Sequence, residues 1–310
     1  TVEWIAAQPW CTGAVGMDGS SYVAMTQLCT ALTRPPHLRC IAPAVPSVDF
    51  FREPPYHGGI FARQHTMDWP RILQVDSLSE LHGGFMNAAA VLADPVIYQR
   101  LVSRPLRAAA DGDLRGDFLE HYRSVLEHPT MDDWWRERSP SAAELASLGI
   151  PALVVNGNFD LGVGALATWR GLEGGRAGRD ERRLLIGPWD HGQCYAGGGN
   201  RYGPYELGEH AALDLGAVRL AFFDRHLKGI GPGPTLPGRV SAFITGANEW
   251  RAFDEYPAAE AEWTPLHLAS GGRANGRHGD GRLVAEPPTA VQPPDRFVDD
   301  PALPFVPVHS

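Results

Sequence analysis

Ala14-Val15-Gly16-Met17-Asp18-Gly19-Ser20-Ser21-Tyr22 is the stretch whose reading decides the fold. A short apolar run, 14–17, meets a serine flanked by small residues, and an apolar helix is expected from about Tyr22 to Leu32. Small neighbours are what a very tight strand-to-helix turn requires, because larger side chains would clash there. The strain of such a turn pushes the serine Oγ out at the top of a sheet, as a nucleophile needs. A glycine-flanked serine is also common in ordinary loops, so the rest of the chain has to carry the reading.

Working outward, Val2, Ile5 and Ala6 share helical spacing up to Pro9, which reads as the end of a helix. After the serine turn and its helix, Pro35-Pro36 stops the helical pattern and Leu38-Arg39-Cys40-Ile41-Ala42-Pro43 gives a second short buried strand. Strand signals resume at Ile150–Val155 and Arg183–Ile186, with a helix through Trp169–Leu172 ended by Gly174 and Gly175. Short apolar strands alternating with helices predict a parallel sheet covered on both faces.

Between 60 and 146 the pattern is helical: Trp69, Ile72, Leu73, Leu78 and Leu81 recur at loose helical spacing, with further helical stretches near 96–104 and 115–127. An insertion of this kind reads as a lid over a site. A long helix is expected at about 209–228, with Leu213, Ala217, Leu220, Phe223 and Leu227 on one face and Gly229 as its C-cap. Beyond Gly231-Pro232-Gly233-Pro234, Val240–Ile244 and Thr264–Leu268 read as antiparallel strands, and from 286 the chain is proline-rich. The expected division is 1–59 and 147–230 for the α/β core, 60–146 for the helical lid, and 231–310 for the start of a β-sandwich.

Composition bounds the function classes. With 310 residues, 44% of them hydrophobic, there is ample material for a large core. A formal charge of −9 argues against nucleic acid or an anionic membrane surface as partner, since both need a basic footprint. No stretch approaches the roughly 18 consecutive apolar residues of a membrane span. The start, Thr1-Val2-Glu3-Trp4, has neither the basic nor the apolar region of a signal peptide and reads as a cut or processed end. The 4 cysteines are scattered without a Cys-x-x-Cys pair, which argues against a disulfide framework or zinc site and mildly favours a reducing, cytoplasmic setting. Gly13, Gly16 and Gly19 mimic a phosphate loop, but no lysine follows and the spacing fits neither nucleotide fingerprint.

A serine hydroxyl is a poor nucleophile and needs a histidine base oriented by a carboxylate. In α/β-hydrolases these follow in the order Ser, Asp or Glu, His, each just after a strand. Ser21 follows the strand at 14–17, Asp160 follows Ala152–Gly157 and a short Asn158-Phe159 turn, and His191 follows Leu184–Asp190. Each has an ordinary alternative: a loop hydroxyl, a turn aspartate, one of 12 histidines with Asp190 as a competing acid beside it. It is the order, with each residue behind a strand, that singles them out.

These residues resemble the cocaine-esterase-like and X-Pro dipeptidyl-peptidase family of α/β-hydrolases, which also includes the α-amino-acid ester hydrolases. The resemblance runs from Trp4–Trp10 and the Ser21 elbow through Ile41-Ala42-Pro43, the Asp160 loop and Gly187-Pro188-Trp189-Asp190-His191. It continues through Ala221–Gly229 to Asn248-Glu249-Trp250-Arg251. It implies Ser21 as nucleophile, Asp160 as orienting acid, His191 as general base and the Tyr22 N–H as an oxyanion-hole donor. It further implies the helical lid, a C-terminal jelly roll, no metal or organic cofactor, and a small ester or amide substrate. Phe159, Trp69 and Trp134 are the candidate substrate contacts. Tyr56, His57 and Phe61 are further lid residues of the same kind, although such aromatics serve core packing just as well.

The chain departs from the family pattern in three places. Ala24 stands where glycine is usual after the nucleophile, and Asn158-Phe159 replaces Trp-Tyr before the acid. Early strands, an upstream tyrosine that supplies the second oxyanion donor, and most of the jelly roll have no counterpart here. That leaves the strand at 14–17 as an exposed edge for a second chain or a second copy to cover. It also sets a non-catalytic remnant or interaction module beside the hydrolase as the alternative function.

Overall fold

The computed structural model describes residues 1–53, 55–78, 104–160, 164–276 and 278–298, without the side chains of 64 and 75–78. At its centre is a six-stranded sheet in the order β1-β2-β5-β6-β9-β10. These strands are Val15–Ser20, Leu38–Ala44, Ala152–Gly157, Arg182–Gly187, Val240–Ile244 and Glu249–Phe253. The first five run parallel and β10 returns antiparallel against β9.

Side-chain alternation along β5 and β6 explains why their sequences are apolar throughout. Ala152 and Val154, with Leu184 and Ile186, face one layer; Leu153, Val155 and Leu185 face the other. The first layer holds α1 (Val2–Ala6), α2 (Tyr22–Leu32) and α8 (Gly164–Glu173), which contribute Val2, Leu28, Ala31, Ala165, Trp169 and Leu172. The second layer holds α9 (Gln193–Ala196) and α10 (Leu215–Phe223), which contribute Cys194, Leu215, Val218 and Phe222. Each fully buried Leu or Val contributes about 1.5–3 kcal/mol, so the two layers dominate the stability of this half.

One buried charge serves the fold. Arg182 opens β6 with no exposure, and its guanidinium donates to the carbonyls of Leu148, Leu172, Gly175 and Ala177. It thereby satisfies carbonyls at the C-terminal ends of two helices, which helix geometry leaves without partners.

The region 56–146 builds its own small clusters. A hairpin of β3 (Tyr56–His57) and β4 (Ile60–Phe61) leads into α3 (Arg63–Leu78), followed by α4 (Leu106–Ala109), α5 (Gly116–Glu127), α6 (Asp133–Arg136) and α7 (Ala142–Ala146). Met67, Ala110, Leu114 and Tyr122 form one cluster, and Phe51, Tyr56, Val125 and Trp135 another. The Tyr56 hydroxyl donates to the Val125 carbonyl, so Tyr56 belongs to this core. Helix start signals are explicit: Asp132 caps α6, and Ser141 with Glu144 forms a capping box on α7. The helical stretch expected near 96–104 and the side chains of Leu78 and Leu81 lie outside the described residues, apart from residue 104 itself.

Two expectations are adjusted. Val240–Ile244 is antiparallel to β10, as expected, but its other edge extends the main sheet parallel to β6. Its run Val-Ser-Ala-Phe-Ile is buried almost end to end, the pattern of a strand covered on both faces. His267–Ala269 (β11) is antiparallel to Arg282–Val284 (β12), as expected of an antiparallel strand there. The long helix spans only 215–223, with Asp214 as N-cap, and continues as a π turn over 224–228 to the left-handed cap at Gly229. Its buried face is Leu215, Val218 and Phe222, and Leu220 is 59% exposed. The segment is apolar on nearly every side, so spacing alone did not select the face.

Candidate active site

Ser21 sits where β1 ends and α2 begins, with φ 58 and ψ −127. A serine rarely adopts this conformation, so the turn stores strain. The sequence permits it through Gly19, whose φ is 144 and where a Cβ would lie 2.6 Å from Val23. The Ser21 N–H donates to the Ala44 carbonyl at 2.9 Å, tying the turn to the end of β2. Buried Gln27 braces it from below: its amide donates to the Gly19 carbonyl and its Oε1 accepts from the Ala42 N–H at 3.1 Å. Val45, next along β2, also has a positive φ of 45, an outlier for a β-branched residue, and its N–H donates to the Val155 carbonyl. Backbone strain therefore clusters at this edge of the sheet. The Tyr22 amide opens α2 and is one of the N–H groups that a helix start leaves without an intrahelical acceptor.

Asp160 lies in the loop after β5. Asn158 donates its N–H to the Gly187 carbonyl, Phe159 to the Trp189 carbonyl at 3.0 Å, and Asp160 to the Gly157 carbonyl. The close approach of this loop to the one after β6 depends on paired glycines. Gly157 and Gly187 are in register; a Cβ on the first would lie 2.3 Å from the Trp189 carbonyl, and on the second 2.2 Å from the Trp189 ring. Trp189 is wholly buried and fixes the chain just before His191.

The structure brings Asp160 and His191 together. His191 Nδ1 lies 2.8 Å from Asp160 Oδ1, with the aspartate side chain 2% exposed and the histidine 49%. A carboxylate only accepts, so Nδ1–H is the donor and the neutral ring keeps its Nε2 lone pair free of that proton. The bond to Asp160, followed by the charges of Asp160 and Asp190, holds the His191 pKa above the usual imidazole range against the opposing effect of desolvation. Asp190, the competing acid, is engaged elsewhere: its carboxylate accepts the Gln193 N–H at 2.8 Å, and its own N–H donates to the Gln193 side chain.

Register places all three residues on one edge of the sheet. Ser20, Ala44, Val155 and Leu185 line up across β1, β2, β5 and β6, and Ser21, Asp160 and His191 each lie beyond that row at the strands' C-terminal ends. Ser21 and Tyr22 lie at β1, the outer strand, and Asp160 with Phe159 at β5. Trp134 is held inside the helical region, stacked on His128 at 4.7 Å with the Arg138 guanidinium 4.0 Å from its ring. Trp69 is half-buried on α3.

Sequence reasoning missed Glu53. A Cβ on Gly164, the first residue of α8, would lie 2.2 Å from its Oε2. Burial pushes its pKa up to about 7, a hydrogen bond from Ser47 opposes this, and the charges of Asp49 and Asp160 add to the rise. His65 on α3 was missed as well; desolvation, and then the charge of His191, hold its pKa below the ordinary value. Neither stands at a strand end or in a motif. Only the fold brings them near the acid and the base.

A mostly parallel sheet with helices on both faces, and an Asp–His pair at its C-terminal edge, define an α/β-hydrolase fold. Comparison with known proteins gives the family. The family model of X-Pro dipeptidyl-peptidase (S15 family) matches residues 1–193, and the chain belongs to that family. Cocaine esterase of Rhodococcus sp. (strain MB1 Bresler) is 30% identical over 324 residues, covering 98% of this chain and 53% of the relative. An aminopeptidase from the marine sediment archaeon Thaumarchaeota archaeon superposes with TM-score 0.73 at 24% identity, over 98% of this chain and 48% of that one. An α-amino acid ester hydrolase gives TM-score 0.68 at 23% identity, over 94% and 46%. The chain spans about half the length of the curated relatives it matches. Among the described residues no helix is long and apolar enough to cross a membrane.

Proposed function

We propose that this chain carries the nucleophile, acid and base of a serine hydrolase that cleaves a small ester or amide. The observation that carries the reading is the 2.8 Å Asp160–His191 bond on the same sheet edge as the strained Ser21 turn. His191 Nε2 takes the Ser21 Oγ proton as the oxygen attacks the substrate carbonyl. The tetrahedral oxyanion accepts from the Tyr22 N–H. His191 then returns the proton to the leaving alcohol or amine, the acyl-serine forms, and water repeats the steps in the second half. Asp160 stays ionised, holding the Nδ1–H tautomer and stabilising the transient imidazolium.

The likeness to a cocaine esterase favours an ester substrate, and the S15 family model keeps X-Pro peptides in the same class. Phe159, beside the acid, is the aromatic that our reading places at the substrate. Trp69 and Trp134 would contribute from a lid over 60–146. Four free cysteines accord with a reducing, cytoplasmic setting.

A second reading, a non-catalytic module of the family, is favoured by the position of β1 as the outer strand of the sheet, with Tyr22 54% and Val23 51% exposed beside the serine. A fluorophosphonate probe separates the two. Under the hydrolase reading the folded chain is labelled, and Ser21→Ala removes the label. A folded wild-type chain that stays unlabelled overturns that reading and leaves the module.

A further inference from the structure

Beyond His191 the chain makes a small hairpin, β7 (Arg201–Tyr202) and β8 (Tyr205–Glu206), that takes no part in the main sheet. Its aromatic face lies on the acid loop. The Tyr202 ring is parallel to that of Phe159, with centroids 4.1 Å apart and planes 3° apart, and Tyr205 is parallel to the same ring at 6.4 Å. Phe159 is the residue immediately before Asp160.

The hairpin is firmly seated. Leu207 is buried against Ala211 and Phe243, its N–H donates to the Asn200 carbonyl, and the Asn248 side chain donates to the Glu206 carbonyl. Across the stack, Phe159 is held by its own N–H on the Trp189 carbonyl, and Asn158 reaches the Phe243 carbonyl with its side chain. The contact is half-exposed and so contributes little to the core. What it does constrain is orientation. A face-to-face stack fixes the plane of the Phe159 ring and, with the Phe159 N–H on the Trp189 carbonyl, holds the residue to which Asp160 is joined.

We propose that Tyr202 is a positioning residue for Asp160, clamping Phe159 so that the carboxylate stays in register with His191. The proposal rests on the hydrolase reading for its catalytic consequence, though its geometric content does not. Misplacing a catalytic group by about 1 Å costs on the order of 10²-fold in rate. Tyr202→Ala is therefore expected to lower kcat by about 10–100-fold with KM little changed.

Titration of His191, followed by NMR on histidine-labelled full chain, supplies a readout that needs no turnover. His191 faces Asp160 from the acid loop, Asp190 from its own loop and His65 from α3. Loosening only the first should move its titration down towards that of an ordinary imidazole. Tyr202→Phe, which keeps the ring, should restore both titration and kcat. A folded Tyr202→Ala chain with unchanged His191 titration overturns the proposal, as does failure of Tyr202→Phe to restore it. If Tyr202→Ala does not fold, Phe159→Leu replaces it, keeping apolar bulk without a flat face; the same downward shift supports the clamp and an unchanged titration sinks it. A wild type that resists fluorophosphonate while its His191 titration responds to Tyr202 sinks the hydrolase reading and keeps the clamp. A labelled wild type whose titration ignores Tyr202 does the reverse.

Discussion

The middle of the sheet and its β1 edge support the candidate site in different ways. Asp160 and His191 hang from β5 and β6, strands packed on both faces and paired on both sides, with Trp189 wedged between their loops. Among the described residues Ser21 hangs from an outer strand with β2 alone beside it, and its turn is braced chiefly by Gln27 and the Ala44 carbonyl. The Asp160–His191 side is thus packed from both layers, whereas α2 packs Leu28 and Ala31 into one layer and the Ser21 turn itself relies on a few hydrogen bonds and a strained backbone. A buried network of fully paired polar groups can hold such a turn, but it has less to fall back on when one member is lost.

The largest effect should come from the interior half. Asp160→Asn keeps the shape but offers His191 the wrong tautomer, so kcat should drop by about 10⁴-fold. The sign of the pH effect follows from the raised His191 pKa: the base works only when neutral, so activity rises with pH through that value. Removing the negative partner lowers it. The acid limb of the residual pH–rate profile should therefore move to lower pH, and an unmoved limb would mean that Asp160 is not the partner that raises His191.

A stability comparison sharpens the contrast between the two halves. Gly157→Ala puts a methyl 2.3 Å from the Trp189 carbonyl and 2.5 Å from Cys194 Sγ, where backbone must give way. It should cost about 3 kcal/mol or more in urea unfolding. Gly16→Ala, on β1, meets the Phe223 ring at 2.7 Å, a side chain that can turn aside; about 1–2 kcal/mol is expected. Equal costs would remove the claim that the interior is the stiffer half.

The smallest effect concerns Glu53. Its pKa is raised to about 7 in the folded chain. The folded state therefore holds this proton more tightly than the unfolded one, and stability is lost as pH climbs from the ordinary carboxylate range through 7. Glu53→Gln should remove that loss, raising stability above pH 7 by about 1–2 kcal/mol once solvent screening is allowed for. Little change is expected near pH 4. Melting curves at both pH values test it, and a variant equally destabilised at both contradicts the assignment.

Much of this architecture could be read from the residues. The strands at β1, β2, β5 and β6, the helix at Tyr22–Leu32 and the Gly229 cap fall where apolar runs and Gly/Pro punctuation put them. That Ser21, Asp160 and His191 each follow a strand was legible, because sequence order is visible without coordinates. Three things were not. Val240–Ile244 is too short for periodicity to tell an edge strand from a buried one. The buried face of α10 could not be chosen because Leu215, Val218, Leu220, Phe222 and Phe223 crowd nearly every side of it. Glu53 sits among prolines in a loop, and its burial is decided by the start of α8, far along the chain.

Arg182 bears on how this protein can be engineered. Its guanidinium grips carbonyls at 148, 172, 175 and 177, which stand on two connections that look, by their exposed glycines and arginines, like safe places for a tag or an inserted domain. Tolerance of insertion follows backbone hydrogen bonding rather than position at the surface. Lengthening either connection would pull carbonyls off a cation that has no water to turn to. Permissive sites should be sought instead at turns such as Gly58-Gly59 or Gly246, where an added Cβ would meet nothing within 4 Å. The bonds at stake there are local, from the Gly59 N–H to the Tyr56 carbonyl and from the Gly246 N–H to Asn248 Oδ1.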